Sequence, residues 1–185
     1  MSMAQLKYKR VLLKISGEAL AGDKHFGFDF DVVSKVCDVI KKCTDMGVQM
    51  GVVIGGGNFW RGVKNGEGKM ARSRADHMGM LATVMNALAV SDKLEQLGVP
   101  TEVFTSITMP QVAQPFTRKD ALRAMDEGKI AVFGGGTGNP FFSTDTATAL
   151  RAVEVSADVM FKATMVDGVY DKDPHKYPDA KKYDT

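Results

Sequence analysis

Cysteine is scarce. Only Cys37 and Cys43 occur in 185 residues, six positions apart in a stretch of helical spacing, so they face different sides of that helix and cannot bridge each other. The three histidines (His25, His77, His175) are scattered, and no His or Cys cluster has the spacing of a metal site. Zinc chemistry and a histidine-based nucleophile are therefore without support. An excess of one charge is also missing: 24 Lys+Arg against 22 Asp+Glu leaves a net +2, which gives no electrostatic footprint for nucleic acid. No apolar run approaches the roughly 18 residues of a membrane span. The basic stretch 1–10 lacks the apolar segment of a secretory signal. These absences set the expectation of a cytoplasmic protein.

What is present is a chain with 44% hydrophobic residues, enough to bury a sizeable core. Its length suits one domain, or one domain with a small lobe. Apolar runs bounded by turn residues predict strands over 10–15, 49–54, 101–105, 129–133 and 158–162. Helical spacing over 29–46, 74–97, 118–127 and 144–157 predicts helices, the first stopped by Gly47 and the second by Gly98 and Pro100. Residues 58–73, rich in Gly, Lys and Asn, read as a loop or lid, and the tail from Asp167 reads as turns. Strands alternating with helices argue for a parallel or mixed sheet covered on both faces.

The glycine clusters carry the chemistry. Ser16-Gly17, Gly55-Gly56-Gly57 and Gly134-Gly135-Gly136-Thr137-Gly138 each follow a predicted strand directly, where open α/β sheets place their ligands. Turns of this kind bring backbone N–H groups close to an anion. Tight strand–helix turns need glycine anyway, so the signal lies in three such turns on one sheet. The dinucleotide fingerprint G-x-G-x-x-G is not met around Gly55, where Arg61 and Gly62 follow Asn58-Phe59-Trp60, and the Walker A pattern is absent. Lys14 and Lys162 stand at the ends of two predicted strands, and two lysines aimed at one spot suit a transferring phosphoryl group. Asp145 opens the helix after the third glycine turn. Its functional reading is to hold the lysines by charge pairing; its structural reading is a helix cap or first-turn charge.

Several blocks, in order along the chain, make a resemblance specific. Lys14-Ile15-Ser16-Gly17-Glu18-Ala19-Leu20, Val53-Ile54-Gly55-Gly56-Gly57-Asn58 with Arg61-Gly62, and Asp76-His77-Met78-Gly79-Met80-Leu81-Ala82-Thr83 are similar to the bacterial UMP kinases of the amino-acid-kinase superfamily. So are Thr137-Gly138-Asn139-Pro140-Phe141-Phe142-Ser143-Thr144-Asp145 and Lys162-Ala163-Thr164 with Val166-Asp167-Gly168-Val169-Tyr170 and Asp173-Pro174. The Asp76 and Asn139 blocks are the ones that separate UMP kinases from carbamate, acetylglutamate and aspartate kinases.

The resemblance implies an α/β fold, a three-layer α/β/α sandwich around a mostly parallel sheet. It implies a catalytic group of Lys14, Asp145, Lys162 and Arg61. It places Lys14, Ile15, Ser16, Gly17, Gly57 and Arg61 at the ATP phosphates, and Thr164, Tyr170 and Asp173 at the nucleoside of ATP. Gly56, Asp76, Thr137, Gly138, Asn139, Pro140, Phe141, Phe142, Ser143 and Thr144 fall on UMP positions, with Asp76 at the ribose. Gly22, Asp23, Lys24, His25, Phe26 and Gly27 match a segment tied to GTP activation. Relatives are Mg²⁺-dependent hexamers without a tightly bound organic cofactor, usually inhibited by UTP, and their chains usually run on past the position of Thr185. The implied partners are thus ATP and UMP, with GTP and UTP as effectors, and neither membrane nor nucleic acid. UMP, with a phosphate pKa near ~6, is largely a dianion at neutral pH and can attack without a general base. That fits a set of lysines, arginine and N–H groups with no well-placed histidine. A kinase of carboxylate or carbamate acceptors, and a nucleotide-binding storage protein on the same fold, are the alternatives.

Overall fold

The computed structural model describes residues 6–61, 68–164 and 166–184. The strands are β1 (Arg10–Ile15), β2 (Gln49–Ile54), β3 (Thr101–Thr105), β4 (Gln114–Pro115), β5 (Ile130–Gly134) and β6 (Val159–Lys162). They form one sheet in the order β4-β3-β5-β2-β1-β6, with every ladder parallel. The helices are α1 (Phe30–Asp45), α2 (Arg72–Gln96), α3 (Arg118–Asp126) and α4 (Thr144–Glu154).

Alternation along the strands divides the core between two faces. Val11, Ile15, Met50, Val52, Ile54, Ile130 and Val132 pack with Val33, Cys37 and Ile40 of α1 and Ala87, Val90 and Leu94 of α2. Leu12, Val53, Phe104, Ala131 and Phe133 pack on the opposite face with Ala121, Ala124 and Met125 of α3. This is the three-layer α/β/α arrangement that the sequence resemblance implies. Each fully buried Val, Leu, Ile, Phe or Met among them contributes about 1.5–3 kcal/mol by leaving water. Cys37 lies in the first of these layers, where burial pushes its thiol up to about 11; Cys43 is half-buried, and both are free.

Helix ends follow local chemistry. Asp29 caps α1 by accepting the N–H groups of Asp31 and Val32, and Gly47 leaves the helix with φ 93°. The structure adds two elements to the sequence reading and shifts one boundary. The stretch after Ser16 is a 3₁₀ helix (Gly17–Lys24) kinked at Gly22, which the sequence pattern does not predict, because this short, glycine-interrupted stretch has no period to read. The two-residue β4 escapes detection because a strand of that length has no alternation. The long helix starts at Arg72 rather than at 74, so only part of 58–73 is loop; Gly62, Val63, Lys64, Asn65, Gly66 and Glu67 of that segment lie outside the described residues.

Since β5, β2 and β1 are neighbours, the three glycine turns at their carboxyl ends lie side by side. Turns more than a hundred residues apart in sequence thereby share one crevice.

Candidate active site

Lys14 and Lys162 occupy paired positions on the adjacent parallel strands β1 and β6, so their side chains leave the sheet on the same face. Between them stands Asp145, in the first turn of α4. Its Oδ1 lies 3.1 Å from Lys14 Nζ, and its Oδ2 accepts a hydrogen bond of 2.7 Å from Lys162 Nζ. The Lys14 side chain is only 13% exposed, whereas those of Asp145 and Lys162 are each 48% exposed. Burial alone would raise the Asp145 carboxyl, but the hydrogen bonds and charges of Lys162 and Lys14 together overcome it and hold the group below the usual carboxylate range. Capping of α4 belongs to Ser143, whose Oγ accepts the Thr146 N–H at 3.1 Å. Asp145 is therefore not the N-cap, and its carboxylate is committed to the two ammonium groups.

The turns behind this group are packed backbone to backbone. A Cβ on Gly17 would sit 2.2 Å from Gly55 O and 2.7 Å from Asn58 Oδ1, so only glycine lets the turn after β1 meet the turn after β2. Ser16 precedes the 3₁₀ helix, and its carbonyl accepts the Ala19 N–H. The Ile15 side chain is buried in the core, which leaves only its backbone available to a ligand. Gly57 lies against Glu18, and Arg61 forms an ion pair with Glu18.

A cleft of about 170 Å³ opens beside this group, walled by Asp76, Thr83, Thr137, Asn139, Phe142 and Thr144 among others. Asp76 is set by its helix and by the loop opposite. Arg72 donates to it from one turn earlier at 2.9 Å, and its Oδ2 accepts the Phe141 N–H at 2.8 Å. That bond pins a non-glycine residue at φ 72°, a conformation that needs such support. Thr137 Oγ1 closes the loop onto itself through the N–H of Asn139 at 3.2 Å. Not every expected acceptor residue walls the cleft. Gly56 backs onto α2, where a Cβ would be 2.7 Å from Gly79 O. Gly138 is pressed against Ser106. Pro140 is half-buried outside the wall, and the Phe141 ring is exposed beneath Arg72. A larger, shallow groove of about 690 Å³ along α3 is lined by Arg118, Lys119, Arg123 and neighbouring charges and lies away from the glycine turns.

The remaining expected residues are placed as follows. Thr164 follows β6 and bonds the Val166 carbonyl. Tyr170 donates to Asp167 at 2.6 Å, which lowers the Asp167 carboxyl and raises the Tyr170 phenol. Asp173 accepts the His175 N–H at 3.0 Å. The 22–27 segment runs beside the second glycine turn: Gly27 N–H donates to Asn58 O, and Phe26 meets Phe59 edge to face at 5.6 Å.

Sequence reading missed the polar side chains behind the turns. Thr83 Oγ1 accepts the buried Gly135 N–H at 2.8 Å. Asn86 donates to Gly55 O at 2.6 Å and exchanges amide bonds with Asn58 at 2.7 and 3.0 Å. The available signal was polar residues at positions 83 and 86, on the stripe that also carries Ala87 and Val90. Arg151, buried over the Phe116 ring at 3.7 Å, donates to Ser106, which in turn donates to Gly136 O at 2.8 Å. Nothing in the glycine pattern pointed to that relay.

Comparison with known proteins adds to the geometry. The amino acid kinase family pattern matches residues 9–185. The structure of a UMP kinase from Bacillus anthracis superposes with a TM-score of 0.88 at 38% identity, over 95% of this chain and 73% of that one. A UMP kinase from Ureaplasma parvum gives 0.87 at 34% identity, over 96% of this chain and 76% of that one. A uridylate kinase from Archaeoglobus fulgidus gives 0.69 at 27% identity, over 94% and 72%.

Proposed function

The chain belongs to the amino acid kinase family, and from that premise we propose that it transfers the γ-phosphoryl group of ATP to UMP, giving UDP and ADP. The observation that carries this reading is the single carboxylate of Asp145 held between Lys14 and Lys162, beside a cleft walled by Asp76 and the 136–144 loop. The UMP kinases that this chain resembles over nearly its whole length supply the acceptor.

In the proposed reaction a phosphate oxygen of UMP attacks the γ-phosphorus in line, and the bond to the β-phosphate oxygen breaks. No general base is needed, because UMP is largely a dianion at neutral pH. Lys14 and Lys162 neutralise charge on the transferring group, Asp145 orients them, and N–H groups of the glycine turns receive phosphate oxygens. Arg61 would leave Glu18 for a phosphate. Mg²⁺ would accompany ATP and offset phosphate charge, and because this ion is reluctant to give up its waters it would demand few protein ligands. The Asp145 carboxylate is already paired with both lysines, which fits a metal carried by the nucleotide.

The proposal extends to a role in pyrimidine nucleotide synthesis in the cytoplasm, to a hexameric assembly, and to modulation by GTP and UTP with residues 22–27 involved. The position of that segment against the 55–59 turn, through Gly27 and Phe26, supports a route from an effector to the site. A coupled ADP-release assay with UMP, CMP, acetylglutamate and carbamate tests the acceptor. UDP formed from UMP at the highest kcat/KM is expected; a faster carboxylate or carbamate acceptor, or ATP binding without turnover on any of them, overturns the reading.

A further inference from the structure

Thr83 and Asn86 stand one helical step apart on α2, three residues separating neighbours on one helix face. Both are buried. Thr83 Oγ1 receives the N–H of Gly135, at the start of the turn after β5. Asn86 Nδ2 donates to the carbonyl of Gly55, at the start of the turn after β2. The Asn86 amide is itself held by the reciprocal bonds with Asn58, whose Nδ2 also donates to Gly27 O at 2.8 Å. One rigid turn of helix therefore grips both glycine turns, one through an N–H and one through a carbonyl. Neither side chain is free to relax, because every bond in the set is between buried or half-buried groups, where losing a partner strands the other.

The geometry points to Thr83 and Asn86 as positioning residues that fix the distance between the turn serving the transferring phosphoryl and the turn serving the acceptor nucleotide. This rests on the proposed kinase reading and deepens it. Each turn offers its own N–H groups to its substrate, and Asp76 lies two turns earlier on the helix, so the Thr83–Asn86 grip is not needed for either binding event. It is needed for alignment, and a misplacement of about 1 Å can cost as much as about a hundredfold in rate. Disturbing the helix grip should therefore lower kcat while leaving both KM values nearly in place. Thr83 also walls the cleft, but its hydroxyl is spent on Gly135 and its variant keeps the wall's shape, so this signature differs from that of a ligand-binding group such as Asp76, whose loss appears in KM.

Two variants test it. Asn86→Asp keeps the shape but turns a carboxylate oxygen towards Gly55 O in place of the donor. Thr83→Val keeps the shape and removes the acceptor for Gly135 N–H. Turnover is measured with ATP and UMP, and calorimetric titration with UMP counts the intact sites, so that unfolded molecules do not enter kcat. The expected result is kcat per UMP-binding site at least tenfold lower in either variant, with both KM values within threefold of the unaltered chain. A merely structural role would lower the number of sites and leave kcat per site alone. That result, or a loss confined to KM for UMP, overturns the inference while the kinase reading stands. An unaltered chain that makes no UDP overturns both.

Discussion

At Asp145, burial and charge pull the ionisation in opposite directions, and the two lysines win. A carboxyl whose folded value lies below its unfolded value of about 3.9 stabilises the fold fully above that value and loses the contribution as pH falls through the lowered one. Asp145 is thus ionised throughout the neutral range, and the rate between pH 5 and 8 should carry no titration from it. Because Ser143 does the capping, Asp145→Asn should lower the melting temperature by only about a few degrees, through the lost pairing of a half-exposed carboxylate with two lysines. It should lower kcat about a hundredfold, the effect of roughly 3 kcal/mol of lost transition-state stabilisation, with a smaller change in KM. Steady-state kinetics at pH 7.5 check this, and an unchanged kcat would reduce Asp145 to a surface ion pair. Asp76 should behave differently. An amide there can still accept the Phe141 N–H but loses the ion pair with Arg72 and a charged acceptor for a ribose hydroxyl. Asp76→Asn should raise KM for UMP about tenfold with kcat within threefold. The unaltered protein should prefer UMP to dUMP, since a site built for a hydroxyl leaves its partner unpaired when the hydroxyl is missing. Equal kcat/KM for the two nucleotides would remove Asp76 from the ribose.

The long helix α2 shows what a linear pattern does and does not reveal. Its apolar residues predict a helix, and the helix is there. They do not tell which side faces the sheet, because the helix is apolar on more than one side. Ala87, Val90 and Leu94 are buried, while Met78, Leu81, Met85 and Leu88 remain 37–48% exposed, and the side toward the glycine turns carries Thr83 and Asn86 beside Gly79, Ala82 and Val84. A residue such as Asn86 is silent in sequence, because an asparagine on an apolar stripe acquires meaning only when Gly55 and Asn58 arrive from elsewhere in the chain. The exposed stripe suits a second copy of the chain, in keeping with the proposed assembly. Replacing Leu81 and Met85 together by Glu should shift light scattering towards smaller species with the fold retained. A unaltered protein already monomeric at micromolar concentration would contradict this use of the helix.

Strand–helix alternation and the glycine turns were readable because each depends on neighbours in sequence: apolar spacing on the one hand, tight turns on the other. The meeting of Lys14, Lys162 and Asp145 is expected from the chemistry of two strand-end lysines and is present, though it depends on β6 returning beside β1 across the sheet; the grip of α2 depends on packing and has no local signature. On the proposed reading the crevice has two half-sites, one around Lys14 and the first two glycine turns and one around Asp76 and the third, and they should bind independently before they react together. A ligand at about a hundred times its Kd stabilises the folded state by about 2.7 kcal/mol. A domain of this size gains roughly 2–4 °C per kcal/mol, so saturating UMP should raise the melting temperature by about 5–10 °C. Mg-ATP at the same multiple of its Kd should do likewise. Lys14→Ala should shrink the ATP shift and keep the UMP shift, whereas Asp76→Asn should do the reverse. Thermal melts of the two variants with each nucleotide separately decide the matter. If each substitution abolishes both shifts, the crevice is one cooperative unit, and the division of labour between Lys14 and Asp76 is wrong.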